Sequence, residues 1–253
     1  MRVDLAKARA SVRVLEGAAS FGDAETALDG LASIIGMPMM AWAPDVARPD
    51  FDAHMDQFLR RHGWPEEILA LWWDQRVMLK MPLYIRCRFE HLPFVTPVDG
   101  PPGRTVAQRT IQAAMMQMGL HAMITVPIML PRGRIAMLTW LGTQSTDEAG
   151  SILRATLPEL LAAAHFFMRV FDRARGQNVA IAARASHLTP READCLRLVA
   201  QGYRDAEIAR LSGLAATTVR SHLDNVVRKF GASNRVQAVA IAAQLGLLGA
   251  LGD

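Results

Sequence analysis

The chain has 253 residues, of which 51% are hydrophobic, and a formal net charge of +4 at neutral pH. This length and composition suit one large domain or two ordinary ones with real apolar cores, and they exclude a disordered or low-complexity protein. The small basic surplus lies mostly near the end, because residues 184–253 hold nine Lys or Arg against six Asp or Glu. Charge alone therefore indicates a nucleic-acid partner only faintly.

Cysteine usage and the first residues indicate a cytoplasmic protein. Cys87 and Cys195 lie far apart and have neither CxxC nor histidine spacing. We therefore expect reduced packing residues, with no disulfide and no metal site. The N-terminal stretch MRVDLAKARASVRVLEGAAS carries charges throughout and lacks the apolar core of a signal peptide. No uninterrupted apolar run reaches the roughly eighteen residues of a transmembrane helix.

The first 175 residues contain five stretches in which apolar residues recur at helical spacing. The predicted helices span residues 4–17, 23–35, 65–75, 105–118 and 146–175. Asp23 is the expected N-cap of the second helix. Ile68, Leu71 and Trp72 form the expected inner side of the third. Pro158 is expected to kink or restart the fifth, because proline lacks a backbone donor.

Three short apolar runs predict strands, at residues 37–42, 122–130 and 135–141. Pro131-Arg132-Gly133 is expected to form a hairpin turn between the last two, and residues 43–52 and 93–102 are predicted loops. Together these elements predict an α+β class protein whose residues 1–175 form a three-layer α/β/α sandwich with a mainly antiparallel sheet. Residues 176–187 carry few bulky apolar side chains and are the expected linker to an all-helical domain, residues 188–253.

Start and stop signals divide residues 188–248 into four short helices. Thr189 and Glu192 form a capping box around Pro190, so a helix begins there. Asn234, with Gln237 three residues later, can cap the last helix. Its predicted apolar side consists of Val236, Val239, Ala240 and Ala243.

The two middle helices have the pattern of a helix-turn-helix. Residues 205–212 are predicted to form the first helix and Gly213 the turn. The second, residues 215–231, has one apolar stripe and one polar face. The stripe is Val219, Leu223, Val226 and Phe230, and the polar face is Thr217, Arg220, Ser221 and Asp224. In such a motif the second helix enters the major groove of DNA.

These residues resemble the DNA-binding domain of LuxR-type transcription regulators. The shared pattern is LTPRE, a leucine, a glycine, EIA and TV-x-x-HL. The matching positions are Glu192, Leu196, Gly202, Glu207, Ile208, Thr218, Val219, His222 and Leu223. The resemblance implies a homodimer on an inverted-repeat operator in double-stranded DNA, with RNA polymerase as a further partner. A packed helical domain without a role on DNA is the alternative.

The expected DNA-contacting residues have different roles. They are Thr217, Thr218, Arg220, Ser221, Asp224, Asn225, Arg228, Lys229 and Arg204. Arg220 is the expected base-edge contact, because a guanidinium can grip guanine O6 and N7 together. Arg228, Lys229, Arg204 and Arg235 are expected on phosphates, which position the domain without reading sequence. Asp224 either accepts from cytosine N4 or reduces affinity.

Residues 1–175 are similar, more distantly, to the acyl-homoserine-lactone-binding domain of the same family. The shared features are Pro65-Glu66-Glu67, Pro82, Pro93-Phe94, Gly119-Leu120, Thr125 and Pro127. The positions that contact ligand in the family differ. Ile68 stands where the family has a tryptophan, Trp72 where it has a tyrosine, and Met81 where it has an aspartate. Val95 or Thr96 stands where the family has a second tryptophan, and Met123 where it has a glycine.

These replacements argue against ordinary binding of an acyl-homoserine lactone, because losing the aspartate leaves a ligand amide unpaired at a cost of about 1 to 3 kcal/mol. The candidate pocket residues are Trp42, Ile68, Trp72, Met81, Thr96, Met123, Thr125 and Thr139. The favoured hypothesis is a solo member of the family that senses a non-standard, small apolar ligand. The alternatives are a ligand-independent regulator and a heterodimerising antagonist of a true lactone receptor.

Methionines in strand or pocket positions are most simply core residues, although methionine also adapts to ligands. They are Met37, Met39, Met40, Met81, Met123, Met129 and Met137.

The resemblance implies two dimer surfaces, the last helix and the long helix with Leu160, Leu161, Phe166, Phe167 and Val170. Either can instead pack within its own domain, and for the long helix we favour the interior role. The motifs HExxH, G-x-S-x-G and GxxxxGK[ST] are absent, so we expect no enzyme, metal or cofactor.

Overall fold

The computed structural model describes residues 3–174 and 188–248, which form two compact units. The predicted linker, residues 176–187, lies outside the described residues, so the domain boundaries stay a prediction. None of the helices in the described ranges has the length and apolarity that a membrane span needs.

The first unit contains eight helices and four strands among its described residues. The helices are α1 (Leu5–Glu16), α2 (Phe21–Ile35), α3 (Ala53–Arg61), α4 (Glu66–Trp72), α5 (Gln75–Met78), α6 (Pro82–Arg86), α7 (Val106–Gln117) and α8 (Thr146–Ala174). The strands are β1 (Met39–Ala43), β2 (Phe94–Pro97), β3 (Ala122–Leu130) and β4 (Arg134–Gly142). The five predicted helices and three predicted strands are thus confirmed, with shifted ends.

The α2 N-terminus corrects one prediction. Its N-cap is Ser20 and not Asp23. The Asp23 carboxylate accepts from the Ser20 N–H at 3.0 Å, and the Ser20 hydroxyl accepts from the Asp23 N–H at 3.1 Å. Asp23 is therefore the second member of a capping box, three residues into the helix.

Proline interrupts α8 as expected. Thr156, two residues before Pro158, leaves the helical region with φ −120° and ψ 15°. The Thr156 hydroxyl donates to the Ile152 carbonyl at 2.8 Å, so it uses an acceptor close to the break. The kink follows from the missing proline donor and the clash of its ring with the preceding turn.

One strand and three short helices are missing from the sequence-based prediction. Residues 94–97, which lie in the predicted loop 93–102, form strand β2 and pair antiparallel with β3, Phe94 opposite Thr125. The loop prediction is wrong there. A strand of four residues that ends in proline is too short to show an alternation of apolar and polar residues, and it forms because it pairs with β3. Helices α3, α5 and α6 are likewise too short for a clear period.

The four strands form one antiparallel sheet in the order β1-β4-β3-β2. Alternation along each strand gives the sheet two faces. On one face, the Trp42 indole packs against aromatic rings of α2, α3 and α8, namely Phe21, Phe58, Phe167 and Phe171. On the other face, Ala41 and its partner Thr139 lie beside residues of α4 to α7. The unit is the predicted three-layer sandwich.

The second unit contains four helices in residues 188–248, as predicted. They are α9 (Pro190–Ala200), α10 (Asp205–Ser212), α11 (Ala216–Phe230) and α12 (Arg235–Gln244). Thr189 and Asn234 cap α9 and α12 through their side chains. Gly213 and Gly231 end α10 and α11 with φ of 67° and 62°, the left-handed region in which glycine is not strained. The predicted caps Thr189 and Asn234 and the predicted turn at Gly213 are confirmed.

Candidate functional site

Helix α11 buries one face and exposes the other. Its stripe Val219, Leu223, Val226 and Phe230 is at most 6% exposed. These side chains pack against α9, α10 and α12 through residues such as Cys195, Ile208 and Ala238. The helix is thereby fixed in orientation, and the side chains opposite the stripe face solvent.

Most of the predicted DNA-contacting residues lie on this solvent face. Those exposed on α11 are Thr217, Thr218, Arg220, Ser221, Asp224 and Arg228. Asn225 and Lys229 are half-buried, and Arg204 is exposed just before α10. A row of exposed hydroxyl and guanidinium groups on one helix can contact base edges and phosphates together.

The N-terminus of α11 has no side-chain cap. Ala215 occupies the N-cap position and offers no hydrogen-bond acceptor beyond its backbone. The N–H groups of the first helical turn therefore receive no cap from a side chain in the described part of the chain. Such N–H groups, with the positive end of the helix dipole, suit a phosphate.

Partners distinguish the three basic residues of α11. The Arg220 side chain is 71% exposed, and its Nε lies 3.7 Å from the Asp205 carboxylate. Arg228 donates to the Asn225 side chain at 2.7 Å and stays exposed. Lys229 donates to the Glu192 carboxylate at 2.6 Å. Lys229 thus holds α11 against α9, which argues against its prediction as a phosphate contact, and Arg228 suits that role better.

Glu192 has two partners at the start of α9. Its carboxylate accepts from the Thr189 N–H at 2.7 Å as well as from Lys229. Burial alone raises the pKa of this carboxyl, but the bonds from Lys229 and Thr189 outweigh burial, so its pKa lies below the ordinary value. The carboxylate is therefore charged at neutral pH.

The first unit has a small, partly open apolar cavity between the sheet and helices α4 to α7. Its volume is about 60 Å³, room for a few water molecules. It is lined by Ala41, Trp64, Trp72, Met78, Met81, Leu83, Tyr84, Ile111, Met115, Met123, Met137, Thr139 and Leu141. Every lining side chain is uncharged, and five are methionines.

Four of the eight predicted pocket residues line this cavity, namely Trp72, Met81, Met123 and Thr139. Trp42 does not, because it lies on the opposite face of the sheet in the aromatic cluster. Ile68 is buried but outside the lining. Thr96 is half-buried on β2, and its hydroxyl has no partner among the described residues. Thr125 lies beside the lining, with its hydroxyl 3.0 Å from that of Thr139.

Several lining residues were not predicted as pocket residues. Tyr84 follows the Met81-Pro82 pair at the start of α6, and Trp64 precedes α4. Met78 and Met115 come from α5 and α7. Apolar residues at these positions look the same whether they line a cavity or fill a core, so the sequence carried no signal for them.

Two hydroxyl groups beside the cavity have unused hydrogen-bond capacity, whereas the surface that lines the cavity is entirely apolar. Tyr84 is 1% exposed, and its hydroxyl has no partner within residues 3–174 and 188–248. Burial raises the pKa of this phenol far above its usual value, so it stays protonated. In the Thr125–Thr139 pair one hydroxyl donates to the other, which leaves one hydroxyl hydrogen without an acceptor among the described residues. Each hydroxyl can donate to a neutral oxygen.

Cys87 and Cys195 are both buried free thiols, as predicted. Burial raises the pKa of Cys87 to about 12, so the thiol is unreactive. No group of three acidic, histidine or cysteine side chains among the described residues can hold a metal ion.

Comparison with known proteins covers both units. The family model for the autoinducer binding domain matches residues 20–171, and the model for bacterial regulatory proteins of the luxR family matches residues 186–242.

Two curated relatives illustrate the range of similarity. VjbR of Brucella ovis, a quorum sensing-dependent transcriptional regulator, is 50% identical over 64 residues, which is 25% of either chain. This match therefore spans a quarter of the relative's length. RpaR of Rhodopseudomonas palustris, described in the same words, is 26% identical over 203 residues, 79% of either chain.

Among solved structures, Escherichia coli SdiA shares the fold. The match has a TM-score of 0.54 at 18% identity and covers 96% of this chain and 98% of that one. Three findings identify the same family. They are the match to the luxR-family model, the match to the autoinducer-binding model over more than half of the sequence, and the four-helix fold of the second unit. The chain belongs to the LuxR family, a family of DNA-binding transcription regulators and not of enzymes.

Proposed function

We propose that this chain is a dimeric transcription regulator in which α11 of each protomer reads one half-site of an inverted-repeat operator. The observation that supports this proposal is the exposed polar row on α11, opposite a fully buried stripe. One helix of this length buries little surface on DNA, and a symmetric dimer on two half-sites is the usual way to gain affinity.

Arg220 is the proposed base-reading residue. It lies on the exposed face of α11, one residue from the buried Val219, and its guanidinium is largely free in solvent. A guanidinium can donate two parallel hydrogen bonds to guanine, which discriminates against other bases by about 1 to 3 kcal/mol. Arg228, two turns further along and also exposed, is the proposed phosphate contact.

The test compares Arg220→Ala with Arg228→Ala. Wild-type protein first selects binding sites from a random duplex library, and anisotropy then gives the Kd for a selected and a scrambled duplex. Arg220→Ala is expected to remove the preference for the selected duplex. Arg228→Ala is expected to weaken binding to both duplexes about equally and to reduce the salt dependence. Equal loss of preference in both variants would contradict the assignment.

Helix α12 supports the homodimer. Of its predicted apolar stripe, Val236 is 75% exposed, and Ala240 and Ala243 are exposed as well. The second unit is instead held by the opposite side of α12, where Ala238 and Ala242 are fully buried. Along α8, by contrast, Leu160 and Phe167 are buried inside the first unit, so α12 is the proposed dimer surface.

For the first unit we propose a small, uncharged, mostly apolar ligand with a neutral oxygen acceptor. The thirteen lining residues are uncharged, and the five methionines can shift to admit a ligand. The hydroxyls of Tyr84 and of the Thr125–Thr139 pair lie beside this apolar lining and become available as donors when the lining shifts to admit the ligand. Met81 offers no acceptor for the amide of an acyl-homoserine lactone, so the family's usual signal fits poorly.

A second candidate, a regulator that needs no ligand, is favoured by the cavity volume of about 60 Å³. Few molecules larger than a cluster of waters enter without movement of the lining. Cytoplasmic location and solo status complete the proposal and rest on the same arguments from sequence.

A thermal-shift screen separates the two candidates. The probes are an acyl-homoserine lactone, a plant-type phenolic, a fatty acid and octanoyl glycerol, which is the ligand in a structure of SdiA. Binding of one class raises the Tm, and Ala41→Leu, which fills the cavity, abolishes the shift. No shift with any probe, an empty protein by native mass spectrometry and undiminished DNA binding would favour the ligand-independent regulator.

A further inference from the structure

One carboxylate joins three helices of the second unit. Asp205, the first residue of α10, accepts from the Arg235 side chain of α12 at 2.7 Å. Its other carboxylate oxygen lies 3.7 Å from Nε of Arg220 on α11. The Asp205 side chain is 18% exposed, whereas that of Arg220 is 71% exposed. Arg235 thus fixes the acid, and the acid lies next to the proposed base-reading side chain.

The geometry of the Arg220 contact leaves its reading edge free. A guanidinium has five donors in a plane, and its terminal nitrogens form the fork that grips guanine O6 and N7. The carboxylate approaches from the Nε side of Arg220, so the terminal fork is not required for this contact. At 3.7 Å the contact attracts by charge and is longer than a hydrogen bond, so it orients the side chain without locking it.

We propose that Asp205 is a positioning residue that directs Arg220 toward a base edge and so sets the sequence selectivity of the regulator. An exposed arginine without such a partner can contact a neighbouring phosphate instead, which adds affinity without selectivity. The carboxylate makes that alternative less favourable because it holds the Nε edge and reduces the local positive potential. This inference rests on the proposed role of Arg220.

Arg235 contributes to the same arrangement. Its bond to Asp205 largely determines the lowered pKa of this carboxyl, with a smaller contribution from Arg220. The acid is therefore fully charged at neutral pH and faces two guanidinium groups. The set of three side chains keeps a net positive charge, so it does not repel the DNA backbone as an isolated acid would.

The competing explanation is that Asp205 only stabilises the second unit. An acid in the first turn of a helix interacts favourably with the helix dipole, and a carboxylate between helices can hold them together. This role would affect the melting temperature and binding to every duplex. It would not change the ratio of affinities for a selected and a scrambled duplex.

The experiment uses the full chain and measures that ratio by anisotropy, with a duplex that the wild-type protein selects from a random library and a scrambled duplex of equal composition. Asp205→Asn keeps the side-chain size and removes the charge. We expect the ratio to fall about tenfold, and binding to the scrambled duplex to stay equal or tighten. Asp194→Asn is the matched control, because Asp194 pairs with Arg197 on the exposed side of α9. It should leave the ratio within about twofold, as expected for a surface charge change elsewhere.

A double variant decides whether the effect passes through Arg220. In the Arg220→Ala background, Asp205→Asn should produce no further fall in the ratio. A further fall of similar size in the double variant would overturn the inference, and so would an unchanged ratio for Asp205→Asn alone. Neither result would contradict the proposed role of Arg220. If Arg220→Ala itself kept the wild-type ratio, the proposed base contact would be wrong and this inference would fail with it.

Discussion

Helix α11 and the cavity of the first unit are built in opposite ways. On α11 six of the candidate contact residues are exposed, lie within fifteen residues of sequence and take little part in packing. The cavity is lined mostly by buried side chains, which come from three strands, four helices and the segments beside them, with Ala41 and Leu141 a hundred residues apart in the chain. Changes on α11 can therefore alter recognition without altering stability, whereas changes at the cavity alter both.

The two faces of the sheet show the same contrast within the first unit. Trp42 on one face has its ring centre 4.7 Å from that of Phe58 and 5.0 Å from that of Phe167. On the other face, Met123 and Met137 border empty space. Rigid rings fill one side, and flexible thioethers on the other side border unfilled space.

Trp42→Ala tests that contrast most strongly. It removes the centre of the aromatic cluster and should lower the free energy of unfolding by about 3 to 5 kcal/mol. Urea denaturation followed by tryptophan fluorescence measures it, because all five tryptophans lie in the first unit. Met123→Ala, on the cavity face, should cost about 2 kcal/mol, since Met123 already borders a void. Equal losses would mean that the two faces are packed alike.

Glu192→Ala tests the second unit at a buried position. It removes the carboxylate that accepts from the Thr189 N–H and from Lys229, and it should lower the free energy of unfolding by about 2 kcal/mol. Glu192→Gln keeps the cap acceptor and should cost less. Hydrogen exchange of the α9 and α11 amides measures the loss in this unit alone.

The same carboxyl predicts how stability depends on pH. Because the folded pKa of Glu192 lies below its ordinary value, its contribution is complete above about pH 5 and is lost as pH falls through the folded pKa. The difference between wild type and Glu192→Gln should therefore shrink below about pH 4.5. If the difference in stability between the two proteins stayed constant down to about pH 3, the charge of Glu192 would not be the cause of that difference.

The sequence predicted the second unit almost completely because its signals are local. Thr189 with Glu192, Gly213 and Asn234 each mark a helix end within four residues of the groups they satisfy. Hydrogen bonds between side chains of different helices could not be predicted. The bond from Lys229 to Glu192 spans 37 positions, and no periodicity predicts it.

The cavity could be predicted only in part, for a physical reason. Strand β1 was recognised, but a shift of one residue moves a side chain to the other face of the sheet. Trp42 was therefore assigned to the pocket, whereas its neighbour Ala41 lines it. Apolar strand positions on the two faces look alike when both faces are covered, so only the packed structure distinguishes them.

Thr125→Val examines the polar pair beside the cavity. It leaves the buried Thr139 hydroxyl without its partner and should cost about 1 kcal/mol. Adding Thr139→Val should restore most of that loss, because two valines of similar shape need no hydrogen bond. Tryptophan fluorescence in urea again reports on the first unit, which contains all five tryptophans. Additive losses in the double variant would show that the two hydroxyls do not depend on each other.

Val236→Asp should have the smallest effect on stability and a large effect on assembly. Val236 is 75% exposed on α12, so the free energy of unfolding should change by less than about 0.5 kcal/mol. A charge in the centre of the proposed dimer surface should nevertheless weaken self-association and binding to an inverted-repeat duplex, with single half-site binding unchanged. Val14→Asp, at a valine that is 61% exposed on α1, is the matched control. Sedimentation with and without DNA measures the outcome, and an undiminished dimer for Val236→Asp would place the dimer surface elsewhere than on α12.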